Sequence, residues 1–218
     1  MRRAVLPEFR PTLTELLYPR LGRRLTAGML GLGLVILVAA LGLRLLSSDG
    51  DATNVVQRTG PLQFNLRYTD GLDRIEPRGN ELLRLEARRG DLFVQSFVVS
   101  PLKLPPYRGE VAGFLPLFAT REVDALRDRF SAFELVQDGK TRVNDVSGYS
   151  ILFRARLGQR RLYGRYILLP GPIPGSRDGV RLLLEATPAA GVSKPADVGV
   201  RGIVKRPYRT FRFETERP

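Results

Sequence analysis

The stretch "SGYSILFRARLGQRRLYGRYILL", residues 147–169, decides the fold. In its first half Tyr149, Ile151, Phe153 and Ala155 alternate with Ser150, Leu152, Arg154 and Arg156. Successive side chains of a strand point to opposite sides, so period two marks a strand with one buried face. "LGQ" breaks the run, and Arg161, Tyr163 and Arg165 then alternate in a return strand. The stretch predicts a long antiparallel hairpin, apolar on the side of Ile151 and Phe153. With the matching register, the other side gathers four guanidinium groups and a phenol. Arg154, Arg156, Arg161 and Arg165 are therefore the candidate anion-binding residues.

Upstream of the hairpin, Leu62, Phe64, Leu66 and Tyr68 in "LQFNLRY" alternate with Gln63, Asn65 and Arg67. Asp70-Gly71 is a turn signal, "LDRIEP" is expected to pair back, and "PRGN" turns the chain again. Leu83, Leu85 and Ala87 alternate with Arg84 and Glu86, "RGD" at 89–91 reads as a turn, and "LFVQSFVV" reads as a more fully buried strand. After "PLKLPPY" the period changes: Val123, Leu126, Phe130 and Phe133 form a helical stripe, with Thr120 expected as N-cap and Glu122 in the first turn. Asp124 and Asp128, one turn apart, are flanked by Arg127 and Arg129 and read as a solvated face. "FELVQ", an expected turn at Asp138-Gly139 and "KTRVNDVSG" lead into the hairpin.

Downstream, "GVRLLLEATPA" predicts another buried strand. In "DVGVRGIVKRPYRTFRFE", Val200, Ile203, Val204 and Tyr208 have helical spacing, while Phe211 and Phe213 have strand spacing. Gly199, Gly202 and Pro207 make that helix a poor one. The element order predicts an α+β fold, an antiparallel sheet flanked by helices in an α/β/α sandwich. The strand "LQFNLRYTDGL", the long hairpin, the apolar strand and a terminal helix leading into "YRTFRF" resemble the Mog/PsbP-like fold group over about residues 60–214. That group includes extrinsic photosystem proteins, a nuclear-transport release factor and many bacterial envelope proteins. The chain departs from it in having no tryptophan. The resemblance implies a non-enzymatic binding or assembly module and carries no catalytic residue across.

Ahead of this domain, residues 25–43 run for nineteen residues without a charge. As a helix they span roughly 28 Å, close to the hydrocarbon thickness of a bilayer. Arg44 can snorkel, which extends the predicted span to 25–46. A cleaved secretory signal has a shorter apolar run and a small-x-small cleavage site, so an uncleaved anchor is the expectation. Arg2, Arg3, Arg10, Arg20, Arg23 and Arg24 precede the span, and Asp49 and Asp51 follow it. The positive-inside rule then places a basic tail, 1–24, in the cytoplasm and the C-terminal part outside. Residues 47–59 are expected to be a linker and 60–218 an extracytoplasmic domain.

The 218 residues carry 35 Lys+Arg against 22 Asp+Glu, net +13. Beyond residue 46 there remain 28 basic and 20 acidic residues, so the outer part keeps +8. The basic side chains are almost all arginine. Outside a membrane they fit anionic headgroups or a phosphate-bearing wall polymer, and no nucleic-acid partner is expected. The expected partners are the lipid bilayer and an envelope protein or polyanion. The chain has no Cys and no His, which removes disulfides, thiolate nucleophiles, the Ser-His-Asp arrangement and imidazole ligands. No catalytic residue, metal ligand or cofactor is predicted. Two other functions are alternatives. An envelope hydrolase would need a carboxylate pair or a Ser-Lys dyad, and Ser193-Lys194, being adjacent, cannot face one another. A membrane-tethered sensor would act by recruiting a partner to its tail.

Overall fold

A computed structural model describes residues 53–60, 62–173 and 175–214. The predicted tail 1–24 and span 25–46 lie outside the described residues. Among those described, no helix is long and apolar enough to cross a membrane. All elements below belong to the unit Asp51–Pro218.

The elements run β1 (Thr53–Arg58), β2 (Phe64–Thr69), β3 (Asp73–Ile75), β4 (Leu83–Arg89), β5 (Leu92–Lys103), α1 (Val111–Arg129), β6 (Ser131–Val143), β7 (Val146–Leu157), β8 (Arg160–Pro170), β9 (Asp178–Ala186) and α2 (Lys205–Thr210). Seven strands form one antiparallel sheet in the order β3-β4-β5-β9-β8-β7-β6, and β1 pairs with β2 separately. The fold is thus mostly antiparallel sheet with few helices.

The strand alternation divides the apolar residues into two cores. On one face Ile151, Phe153, Leu162, Tyr166, Leu168 and Leu183 meet Leu115, Phe118, Val123 and Leu126 of α1. On the other, Phe97, Ile167, Leu182 and Leu184 meet Phe64 and Leu66 of β2 and Val198, Val204 and Phe211 of the C-terminal segment. The middle of α1 is held to the sheet by a polar contact as well. Tyr166 donates its hydroxyl to Glu122 Oε2 at 2.5 Å, and Arg181 donates Nε and Nη2 to the same carboxylate at 3.0 and 2.8 Å. Burial, reinforced by that carboxylate, pushes the Tyr166 phenol far above its ordinary range.

Several elements differ from the sequence expectation, each for a local reason. β1 occupies residues 53–58 of the expected linker because its backbone completes the ladder of β2. With β2 so paired, the turn closed by Leu72 N–H on Thr69 O (3.0 Å) carries "LDRIEP" away to β4, where β3 pairs. α1 begins at Val111, well before Thr120, and accommodates Pro116. It ends at Arg129, so Phe130 and Phe133 are not a helical stripe. Their rings instead pack on Phe153 at 5.1 and 5.3 Å between centroids. β6 runs straight through Asp138-Gly139, and the turn falls at Asn144, whose φ is +50°. The last helix is only six residues because Gly199 and Gly202 sit at φ +79° and +73°, which leaves Val200 exposed. One face is therefore covered by a hairpin and a short helix, where a full helical layer was expected.

Gly164 lies opposite Phe153 across β7 and β8, and a Cβ there would come within 2.0–2.5 Å of the Phe153 ring. Gly164→Ala is expected to cost about 1–3 kcal/mol by overpacking, and Phe153→Ala about 3–5 kcal/mol. In the Phe153→Ala background the Gly164→Ala cost should largely vanish. Urea denaturation of the single and double variants measures this coupling.

Candidate functional site

The register of β7 and β8 sets Arg154 opposite Tyr163, Arg156 opposite Arg161 and Leu152 opposite Arg165. Directly opposed residues of an antiparallel pair share a face, so the four arginines and Tyr163 lie on the side away from α1. β6 adds Glu134 opposite Arg154 and Ser131 opposite Arg156. Ser193, in the connection that covers this face, contributes a further wall. The result is a cleft of about 500 Å³ whose lining includes Ala132, Glu134, Arg154, Arg156, Arg161, Tyr163 and Ser193.

The four arginines play different parts. Arg165 is drawn out of the cleft: its Nη2 donates to Ala196 O at 2.8 Å and its guanidinium lies 5.7 Å from the Tyr208 ring centroid. Arg154 stays on the cleft and donates Nη1 to Glu134 Oε1 at 3.3 Å, with both side chains half exposed. Arg156 and Arg161 are exposed and have no ion pair among the described residues. Like charges directly opposed on neighbouring strands are destabilising, so this pair costs stability that an anion would return.

The rim carries backbone strain too. Ala132 adopts φ +50°, and the β6–β7 register shifts on both sides of Glu134. Bulges of this kind re-aim side chains, and here they direct Glu134 to the cleft. Ser193 donates both its N–H and its hydroxyl to Asp197 Oδ2, at 3.1 and 3.0 Å. Those bonds hold the Asp197 carboxyl below its ordinary range and fix the wall of the cleft. Glu134 and Ala132 carry no site signal in the sequence, and Ser193 enters there only as half of the adjacent Ser193-Lys194 pair. The bulges that place the first two leave no periodic signal, and Ser193 reaches the cleft only through tertiary packing.

Carboxylates also gather beneath the end of α1, where acid-base chemistry would need them. Arg84 is ion-paired with Glu81 and with Glu86 (3.5 Å), and Arg88 Nε lies 2.6 Å from Glu86 Oε1. Burial opposes ionisation of Glu81, but hydrogen bonds from Arg84 and the Arg78 N–H outweigh it and hold its pKa below the usual value. Glu185 is buried and accepts the Ser96 hydroxyl at 3.0 Å. Burial pushes its pKa up, and the nearby charge of Arg129 offsets this only in part. Among the described residues no cluster of three or more His, Cys, Asp or Glu is placed to hold a metal ion.

No family model matches the chain, and no curated protein matches it. Among solved structures, cyanobacterial PsbP (CyanoP) from Synechocystis sp. PCC 6803 is similar over 65% of this chain and 82% of its own, at 10% identity and a TM-score of 0.41. PA94, a Pseudomonas aeruginosa protein of unknown function, is similar over 66% of this chain and 74% of its own, at 12% identity and a TM-score of 0.33. The fold group named from the sequence is thus represented among the similar structures.

Glu185 yields a pH prediction. A carboxyl whose folded pKa is raised favours the fold below its unfolded value of about 4.3, and that contribution is lost as pH rises through the folded value. Glu185→Gln keeps an acceptor for Ser96 and removes the buried charge. It should raise the Tm at pH 7, with the gain shrinking toward pH 4, as thermal scans across that range would record.

Proposed function

We propose that the chain is a single-pass membrane protein with its tail, 1–24, in the cytoplasm and a span at 25–46. Its outer domain is a non-enzymatic binding or assembly module that engages an anionic, phosphate-bearing component of the envelope. The observation that carries this reading is the opposed Arg156/Arg161 pair in an open cleft. Neither guanidinium has an ion-pair partner among the described residues, and a bound phosphate would supply one. The uncharged run and the six arginines before it support the topology. The carboxylates that approach one another are committed to arginines or buried, so no observation favours the hydrolase reading over this one.

Two measurements test the proposal. Protease added to spheroplasts should digest the chain beyond about residue 50 and spare the tail. A mature N-terminus mapped near Ser47 would overturn the anchor. Purified full-length protein in a non-ionic detergent should bind a polyphosphate. The affinity should fall as salt shortens the Debye length from about 30 Å at 0.01 M to about 8 Å at 0.15 M. Arg156→Gln with Arg161→Gln should weaken that binding by about tenfold or more, the worth of a lost charge-assisted hydrogen bond. The Tm should be unchanged or higher. Binding that survives the double substitution would defeat the reading.

A further inference from the structure

An anion site built for charge alone has no use for a carboxylate in its lining, yet Glu134 stands in this one. Its contact with Arg154 is a single long hydrogen bond, 3.3 Å from Nη1 to Oε1. Glu134 Oε2 has no hydrogen-bond partner among the described residues. The carboxylate is exposed on an edge strand, and the bulges around it keep it on the cleft side at the cost of the strained Ala132. Held there, Glu134 offers acceptors and Arg154 offers its remaining N–H donors side by side. Together they can accept from one hydroxyl and donate to the next, which neighbouring hydroxyls of a polyol require. The Arg156/Arg161 row lies one two-residue step along the strands from the Glu134/Arg154 row, about 7 Å. That is the reach between a phosphate and a hydroxyl two or three carbons away.

We infer that the cleft takes a phosphorylated polyol or sugar, its phosphate on Arg156 and Arg161 and its hydroxyls on Glu134 and Arg154. This rests on the anion-binding reading above and adds the class of ligand. Glu134 then acts in two opposing ways: its charge repels the phosphate, and its oxygens accept from the hydroxyls. A ligand without hydroxyls meets only the repulsion.

The test is calorimetry on the full chain in nanodiscs of phosphatidylcholine, with glycerol 3-phosphate and methyl phosphate as probes of equal charge. Glycerol 3-phosphate should bind about tenfold more tightly, the worth of a hydrogen bond to a charged group. Glu134→Ala should abolish that preference by moving the two probes in opposite directions. Glycerol 3-phosphate should weaken, and methyl phosphate should tighten by about two- to fivefold, the range of an exposed charge interaction. Glu134 is exposed, so the substitution spares both cores, and Glu134→Gln, which keeps one acceptor, should fall between. Equal affinities for the two probes, or a Glu134→Ala variant that tightens both alike, would overturn the inference while leaving a plain anion site standing. Failure of both probes to bind, or indifference to the Arg156/Arg161 substitutions, would defeat the underlying reading as well. Repeating the titration with phosphatidylglycerol in the nanodiscs separates two sources of the same chemistry. A weakened apparent affinity identifies the lipid headgroup as occupant, and an unchanged one identifies a soluble or polymeric phosphate; both uphold the ligand class.

Discussion

The ring of Phe153 lies over the backbone of Gly164 on the neighbouring strand, where any side chain would collide with it. The seat also locks the pairing of β7 with β8, because no other residue of β8 offers the ring an empty place opposite. Phe130 and Phe133 close over the same ring from the end of α1 and the start of β6. A side-chain period of two then leaves no freedom: with Phe153 facing the helix, Arg154 and Arg156 must face away, and Arg161 with them. A one-residue slip would bury the guanidinium groups under α1 and expose Ile151. The cleft is in this sense a consequence of how the opposite core is packed.

The two faces treat arginine differently, and the contrast explains the electrostatics of the domain. On the helix side Arg181 forks onto Glu122 and Arg84 is bonded to Glu81, so each guanidinium taken from water has a carboxylate. Removing either partner of such a pair would strand a charge, which is why these contacts are structural. Arg165 is a third case: its body lies by Tyr208 and one N–H caps Ala196 O, while its Nε is buried without a hydrogen-bond partner among the described residues. At the end of the β7–β8 hairpin, by contrast, Arg156 and Arg161 are opposed with no ion pair to either among the described residues.

The hairpin and the buried strands were legible because their side chains follow one period over many residues. The alternation of Tyr149, Ile151, Phe153 and Ala155 against Arg154 and Arg156 gave both the element and its faces. The features that stayed hidden are those in which neighbours in space overrule the local signal. Asp138-Gly139 is a strong turn dipeptide, yet ten residues of β6 find partners in β7 and the ladder carries the chain through it. Pro116 reads as a helix breaker, but Leu115, Phe118 and Ala119 around it are buried against the sheet and hold the turn in place. Arg165 belonged to the charged face by parity, and only the covering segment with Ala196 and Tyr208 diverts it. Glu134 was invisible as a site residue because two irregularities in register intervene between its place in the sequence and its place in the sheet.

Strain at the cleft is affordable because it is concentrated where the core is not. Ala132 in the left-handed region costs on the order of 1–2 kcal/mol, and an opposed pair of like charges on a sheet costs about 0.2–1 kcal/mol. Both fall in the exposed part of the hairpin and the adjoining start of β6, three residues beyond the row that Phe153 and Gly164 anchor. A single large aromatic in that row contributes about 3–5 kcal/mol, more than the two costs together. The sheet can therefore hold the arginines and Glu134 in their places before any ligand arrives. A ligand then meets a cleft whose ordering cost has already been met by folding, so more of its contact energy remains for affinity.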